Sequence, residues 1–234
     1  IALPAITTAM VRGLRRLVRD LRAADVRSEW GDYATECSYS AEEIAAKRAF
    51  VAEACAERPR SLVFDLGANT GDYSLIVAPR AGYVVSIDAD ELAVERLGAR
   101  LRAEGPRNVL PLCINLADPS PGLGWRGRER RDLIGRGRPD LTLCLAVVHH
   151  LAITANVPLV EIVRWLRDLG GELVIEFPTR EDPMVRRLLR NRKDGAPGYD
   201  LAVFETALRE SFGVRREATL GSGTRRLYFA APRP

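Results

Sequence analysis

From residue 61 onward the chain is written as short apolar runs separated by helical patterns, and that alternation restricts its fold more than any other feature. The runs are LVFDL (62–66), YVVSI (83–87), VLPLCI (109–114), LTLCLAVV (141–148) and ELVIEF (172–177). They read as strands buried on both faces, because they lack the in–out polarity of a half-exposed sheet. Between the last two, residues 157–168 place Leu159, Ile162, Val163 and Leu166 on one stripe, with Asn156 as the expected cap and Pro158 in the first turn. Strand–helix alternation means a mostly parallel sheet covered on both faces. The tail differs: a helix around 200–211 precedes VRREATL and RRLYFAA, joined through Gly221-Ser222-Gly223, which predicts an antiparallel hairpin at a sheet edge. The expected fold is α/β, a Rossmann-like doubly wound sheet, mostly parallel, closing with that hairpin.

The first 58 residues read as an N-terminal helical cap, and 59–234 as the main domain. Residues 10–27 put Val11, Leu14, Val18 and Leu21 at helical spacing with arginines on the other faces, an amphipathic helix. Such a helix lies on a membrane surface or packs on the domain or a partner. With no bulky aromatic to insert, packing is the expectation. Ser40 followed by Glu43 forms a capping box for a helix from about 41 to 56, and Trp30, Tyr33 and Tyr39 precede it in an irregular stretch. The chain opens on Ile1, and we expect it to be excised from a longer sequence.

Composition excludes more than it suggests. No run approaches the ~20 apolar residues of a membrane span, and no signal-peptide pattern opens the chain. The net charge of +4 is modest and spread out, and only Lys47 and Lys193 among the 35 basic residues are lysines, which offers little to nucleic acid. Cys37, Cys55, Cys113 and Cys144 form no CxxC pair. With Cys113 and Cys144 in apolar runs, buried free thiols in a reducing cytoplasm are expected. Six arginines between Arg126 and Arg138 read as a solvated helix.

VFDLGANTGDYS (63–74) ends the first strand on a carboxylate and a glycine turn. Gly67 and Gly71 let the backbone turn tightly beside a ligand. A dinucleotide loop reads GxGxxG, whereas here Asp65 stands two residues before the first glycine. A carboxylate repels pyrophosphate and suits a ligand bearing ammonium or sulfonium charge.

DLGANTG resembles the first motif of class I S-adenosylmethionine-dependent methyltransferases, a seven-stranded fold. The resemblance implies cofactor contacts from Asp65, Gly67, Ala68, Asn69 and Gly71. It further implies Asp88 and Ala89 at the ribose, and Asn115 and Leu116 at the adenine, where the family usually carries an aspartate in place of Asn115. Asp90 fits a helix cap better than a ligand. His149 and His150, the chain's only histidines, follow the fourth strand. Adjacent histidines there point different ways and no third ligand stands at a sensible spacing, so no metal is expected. Glu176 ends the fifth strand. A histidine and a glutamate so placed resemble the His–Glu pair of polyketide C-methyltransferases, implying His149, or else His150, as a base oriented by Glu176. Trp30, Tyr33 and Tyr39 stand where such families build the acceptor pocket.

From about Trp30 to Phe229 the pattern resembles a bacterial small-molecule subgroup that includes nodulation-related proteins. The methyltransferase resemblance implies S-adenosylmethionine as cofactor and S-adenosylhomocysteine as product; the subgroup itself says little of the acceptor, and the expectation is a cytoplasmic enzyme of natural-product type that methylates a small molecule at oxygen or carbon. An RNA methyltransferase is the second reading. It lacks support because HHL follows the fourth strand in place of an (N/D)PP(Y/F) motif. A non-catalytic cofactor-binding or regulatory domain within a larger assembly is the third.

Overall fold

A computed structural model describes residues 3–20, 39–190 and 192–233. Trp30, Tyr33 and Cys37 lie outside the described residues. Helix α1 begins at Leu3, seven residues before the expected start, and is described as far as Asp20; residues 21–27 of the expected helix, Leu21 among them, lie outside the described residues, and residues 6–19 are all exposed. Helix α2 runs Ala41–Ala56. Its capping box forms as read: Glu43 N–H donates to Ser40 Oγ at 3.2 Å and Ser40 N–H to the Glu43 carboxylate at 2.9 Å, satisfying donors that the first turn would leave orphaned.

The sheet has seven strands: β1 (Arg60–Leu66), β2 (Ala81–Asp88), β3 (Val109–Cys113), β4 (Leu141–Cys144), β5 (Glu172–Pro178), β6 (Phe212–Thr219) and β7 (Arg225–Pro232). Their order is β3-β2-β1-β4-β5-β7-β6, with β7 antiparallel to both β5 and β6. Helices α3 (Asp72–Val77), α4 (Glu91–Glu104), α5 (Leu133–Arg136), α6 (Leu159–Leu169), α7 (Pro183–Arg190) and α8 (Leu201–Ser211) fill the connections. Successive strand residues point to opposite faces, so β1 feeds both cores: Phe64 and Leu66 pack with Ile162, Val163 and Phe204, and Val63 packs with Val51 of α2, Leu143 and Phe229. From β1 the chain winds outward to β2 and β3, then crosses back to β4. A crevice therefore opens between the carboxyl ends of β1 and β4, where such sheets bind ligands.

Four local expectations differ from the structure. Strand β4 stops at Cys144, not at 148: Ala146 takes φ +56°, and Val148 and His149 begin a helical turn that becomes a π-helical turn at His150–Thr154. Asn156 does not cap α6. It sits at φ +59° with Oδ1 accepting from the Arg192 guanidinium at 3.2 Å, and Pro158 occupies the cap position. Cys113 is an exposed free thiol because β3 is the sheet edge, whereas Cys55 and Cys144 are buried and free. The arginine-rich stretch is no continuous helix; glycines break it into a 3-10 turn at Trp125–Gly127, a bridge between Leu123 and Arg130, and short α5.

Candidate active site

The glycine loop after β1 is fixed by its neighbours. Gly67 and Ala68 N–H both donate to Ile87 O, at 2.8 and 2.9 Å, tying the loop to the end of β2. Gly67 has φ +73°, and a Cβ there would lie 2.1 Å from Val147 Cγ2. Gly71, φ +81°, is the N-cap of α3, and its Cβ would meet Leu97 Cδ1 at 2.4 Å. The first glycine keeps the crevice open, and the second seats α3 against α4.

A cleft of about 440 Å³ lies at this point. Gly67, Asn69, Asp88, Ala89, Asn115 and Leu116, all expected at the cofactor, line it. Its other wall comes from the segment after β4: Leu145 to Val147, His150, Leu151, Thr154 and Ala155. Sequence reasoning missed most of that wall, because the run 145–148 looked like strand. Asp88 is held by two backbone amides, Asn69 N–H to Oδ2 at 2.7 Å and Asp90 N–H to Oδ1 at 2.9 Å. Burial raises its pKa, partly offset by those amides. Asp90 caps α4 by accepting from Leu92 and Ala93 N–H. Asn115 lines the cleft, but its Oδ1 also accepts from Ala117 N–H at 3.0 Å, bracing its own loop.

Asp65, Ala68 and Gly71 are not among the lining residues. Asp65 is 2% exposed and accepts from Ser74 Oγ at 2.6 Å, and that hydroxyl also meets Ser86 Oγ at 2.6 Å. The carboxylate thus pins α3 beneath the loop. Burial pushes its pKa up to about 6, more than the Ser74 hydrogen bond lowers it.

The two histidines diverge. Their ring centroids are 4.0 Å apart and tilted by 41°, yet His150 lines the cleft whereas His149 is wholly buried. Neither ring nitrogen of His149 has a hydrogen-bond partner among the described residues. Burial, His150 and the nearby cations Arg225 and Lys47 hold its pKa well below the ordinary value. Burial and then Arg225 lower that of His150 to about 4. Both imidazoles are therefore neutral at pH 7.

Glu176 makes no hydrogen bond to His149. Its Oε1 accepts from Tyr39 Oη at 2.6 Å and lies 3.2 Å from Arg225, and its Oε2 lies 2.6 Å from Lys47 Nζ. Lys47 also donates to Tyr39 Oη at 3.0 Å and sits over the rings of Tyr39 and Tyr73. Asp182, 2.7 Å from Arg225 Nε, balances the second cation. Tyr39, expected in the acceptor pocket, is thus bound into a buried ionic cluster that joins α2 to β5 and β7. The sequence singled out Lys47 as one of only two lysines among 35 basic residues but assigned it no role, and that rarity was the available signal. Among the described residues no three His, Cys, Asp or Glu side chains gather as metal ligands.

No protein-family model matches the chain. It is 36% identical over 203 residues to nodulation protein NoeA of Rhizobium meliloti (strain 1021), a match covering 86% of the chain and 42% of that protein. The chain therefore spans less than half the length of this relative. In structure it is similar to the N-methyltransferase NodS from Bradyrhizobium japonicum WM9 in complex with S-adenosyl-L-homocysteine, with TM-score 0.60 and 13% identity, covering 82% of this chain and 88% of that one. It is also similar to magnesium protoporphyrin IX methyltransferase from Synechocystis PCC 6803 with bound S-adenosylhomocysteine, with TM-score 0.55 and 18% identity over 95% and 94% of the two chains. The fold is that of class I methyltransferases.

Proposed function

We propose that the chain is an S-adenosylmethionine-dependent methyltransferase acting on a small-molecule acceptor at oxygen or carbon. The observation that carries this reading is the cleft at the switch point, with an amide-held carboxylate on one side and a neutral histidine on the other. The residues present fit the cofactor. Asp88, oriented by Asn69 and Asp90 N–H, offers acceptors to ribose hydroxyls. Ala89 and Leu116 give apolar walls for an adenine ring, and Gly67 leaves a space that a Cβ would have to share with Val147. Both structural neighbours named above are recorded with S-adenosylhomocysteine.

S-adenosylmethionine, when bound, supplies an electrophilic methyl group on a sulfonium. The protein's part is mostly positioning, since in-line displacement requires the acceptor atom, methyl carbon and sulfur to be collinear. We assign proton removal from a hydroxyl or acidic C–H acceptor to His150, which lines the cleft and is neutral at pH 7. His149 packs behind it. Glu176 serves in this reading as the anchor of the Tyr39–Lys47–Arg225 cluster, not as the partner of a catalytic imidazole. Trp30 and Tyr33 remain proposed acceptor contacts.

The test is calorimetric titration of the chain with S-adenosylmethionine and S-adenosylhomocysteine, alongside Asp88→Ala. Micromolar binding lost in the variant supports the reading. Absence of binding by the folded parent chain refutes it.

A further inference from the structure

Helix α1 presents the largest uncovered apolar face of the described chain. Ile6, Met10, Val11, Leu14, Leu17 and Val18 are each between 58% and 63% exposed. At 3.6 residues per turn they fall within an arc of about 140°. Arg12, Arg15, Arg16 and Arg19 share the opposite side, and the helix's one acid, Asp20, is its last residue. With four arginines and one aspartate, α1 carries most of the chain's net charge of +4. The helix is about 27 Å long. Among the described residues no helix is long and apolar enough to cross a membrane.

We propose that α1 is an interfacial helix that docks this chain on an anionic phospholipid surface. The apolar arc is wider than the narrow stripe of a two-helix seam, which speaks against a coiled-coil partner. Charge complementarity points the same way. Arg12, Arg15 and Arg16 lie on the polar side with no acid among them, so their guanidinium groups reach toward an anionic headgroup layer while the aliphatic side chains enter the acyl boundary. A second copy would bring the same cations into one assembly and supply no anion. The absence of a large aromatic limits depth, so attachment is reversible and depends on headgroup charge.

The test is flotation of the whole chain with phosphatidylcholine vesicles, with and without phosphatidylglycerol. Co-flotation is expected only with the anionic vesicles, and weaker at high salt. Each Arg→Ala replacement at Arg12, Arg15 or Arg16 should reduce partition roughly fivefold. Leu14→Glu with Leu17→Glu should abolish it. Because both leucines are exposed, near-UV circular dichroism of that variant should match the parent. Three results would overturn the proposal. One is equal flotation with both vesicle types or with neither, and another is binding unchanged in the double variant. The third is a dimer by sedimentation equilibrium that the double variant dissociates, which would give the face to a second copy.

Discussion

Lys47 and Glu176 offer the sharpest test of how the site is held. Their side chains are 4% and 0% exposed, with Nζ 2.6 Å from Oε2. Lys47→Met deletes one cation from a buried group in which Lys47 and Arg225 balance Glu176 and Asp182. Removing one member of such a pair typically costs 3–5 kcal/mol, because the remaining charge is desolvated without compensation. Arg225 and Tyr39 stay on Oε1, so the expected cost is about 3 kcal/mol, at the lower end of that range. Adding Glu176→Gln restores the balance, since Arg225 keeps Asp182 at 2.7 Å. The double variant should then be more stable than the sum of the single losses by about 2 kcal/mol. Urea unfolding followed by far-UV circular dichroism measures all four species, with unchanged slopes as the control. Acid adds a second readout. Burial raises the Glu176 pKa, but Lys47, Arg225 and Tyr39 override it and hold the pKa below the ordinary 4.5. That stabilisation is present above 4.5 and is lost as pH falls through the folded value, so Lys47→Met should begin acid unfolding at higher pH. A single variant within about 0.5 kcal/mol of the parent, or strict additivity in the cycle, would refute the reasoning.

Gly67→Ala should cost about 2 kcal/mol in stability, from the left-handed φ and the 2.1 Å approach to Val147, and should weaken cofactor binding about tenfold or more in calorimetry. His150→Ala should lower turnover about a hundredfold while leaving cofactor affinity nearly unchanged. With His150 titrating at about 4, the parent rate should stay flat from neutral pH down to about 5 and fall below it. Asp65 has a folded pKa of about 6, above its ordinary 3.8, so the folded state binds the extra proton and stability declines as pH rises between those values. Asp65→Asn should therefore be more stable at pH 8 by roughly 2 kcal/mol in urea titrations, and should lose affinity for a cationic cofactor.

The strands legible in the sequence were those whose apolar runs end where their hydrogen bonding ends, as at 62–66 and 172–177. The run 141–148 was not, because Val147 and Val148 are buried either way. Periodicity cannot separate a buried strand from the buried turn that Ala146 starts at φ +56°. Local signals were read correctly where both partners lie within one turn, as with Ser40 and Glu43. They misled where a distant group intervened, as when Arg192 takes the Asn156 side chain that would otherwise cap α6. That Asp88, Ala89, Asn115 and Leu116 line one cleft was legible because strand ends in this topology converge and the motif resemblance pointed to those positions. The Glu176 cluster was not, since its members come from α2, β5 and β7 and meet only in the folded sheet.

That cluster also divides the N-terminal residues into two physically different parts. Helix α2 belongs to the core: Val51, Ala54 and Cys55 are almost wholly buried against Val63, Leu143 and Phe229, and Lys47 supplies a charge that Glu176 requires. Helix α1 buries nothing among the described residues and exposes its apolar face. That face stands opposite four arginines. An external surface is the simplest physical reason for that arrangement. Tyr39 stands at the start of the core part, with its hydroxyl donating to the β5 carboxylate of Glu176.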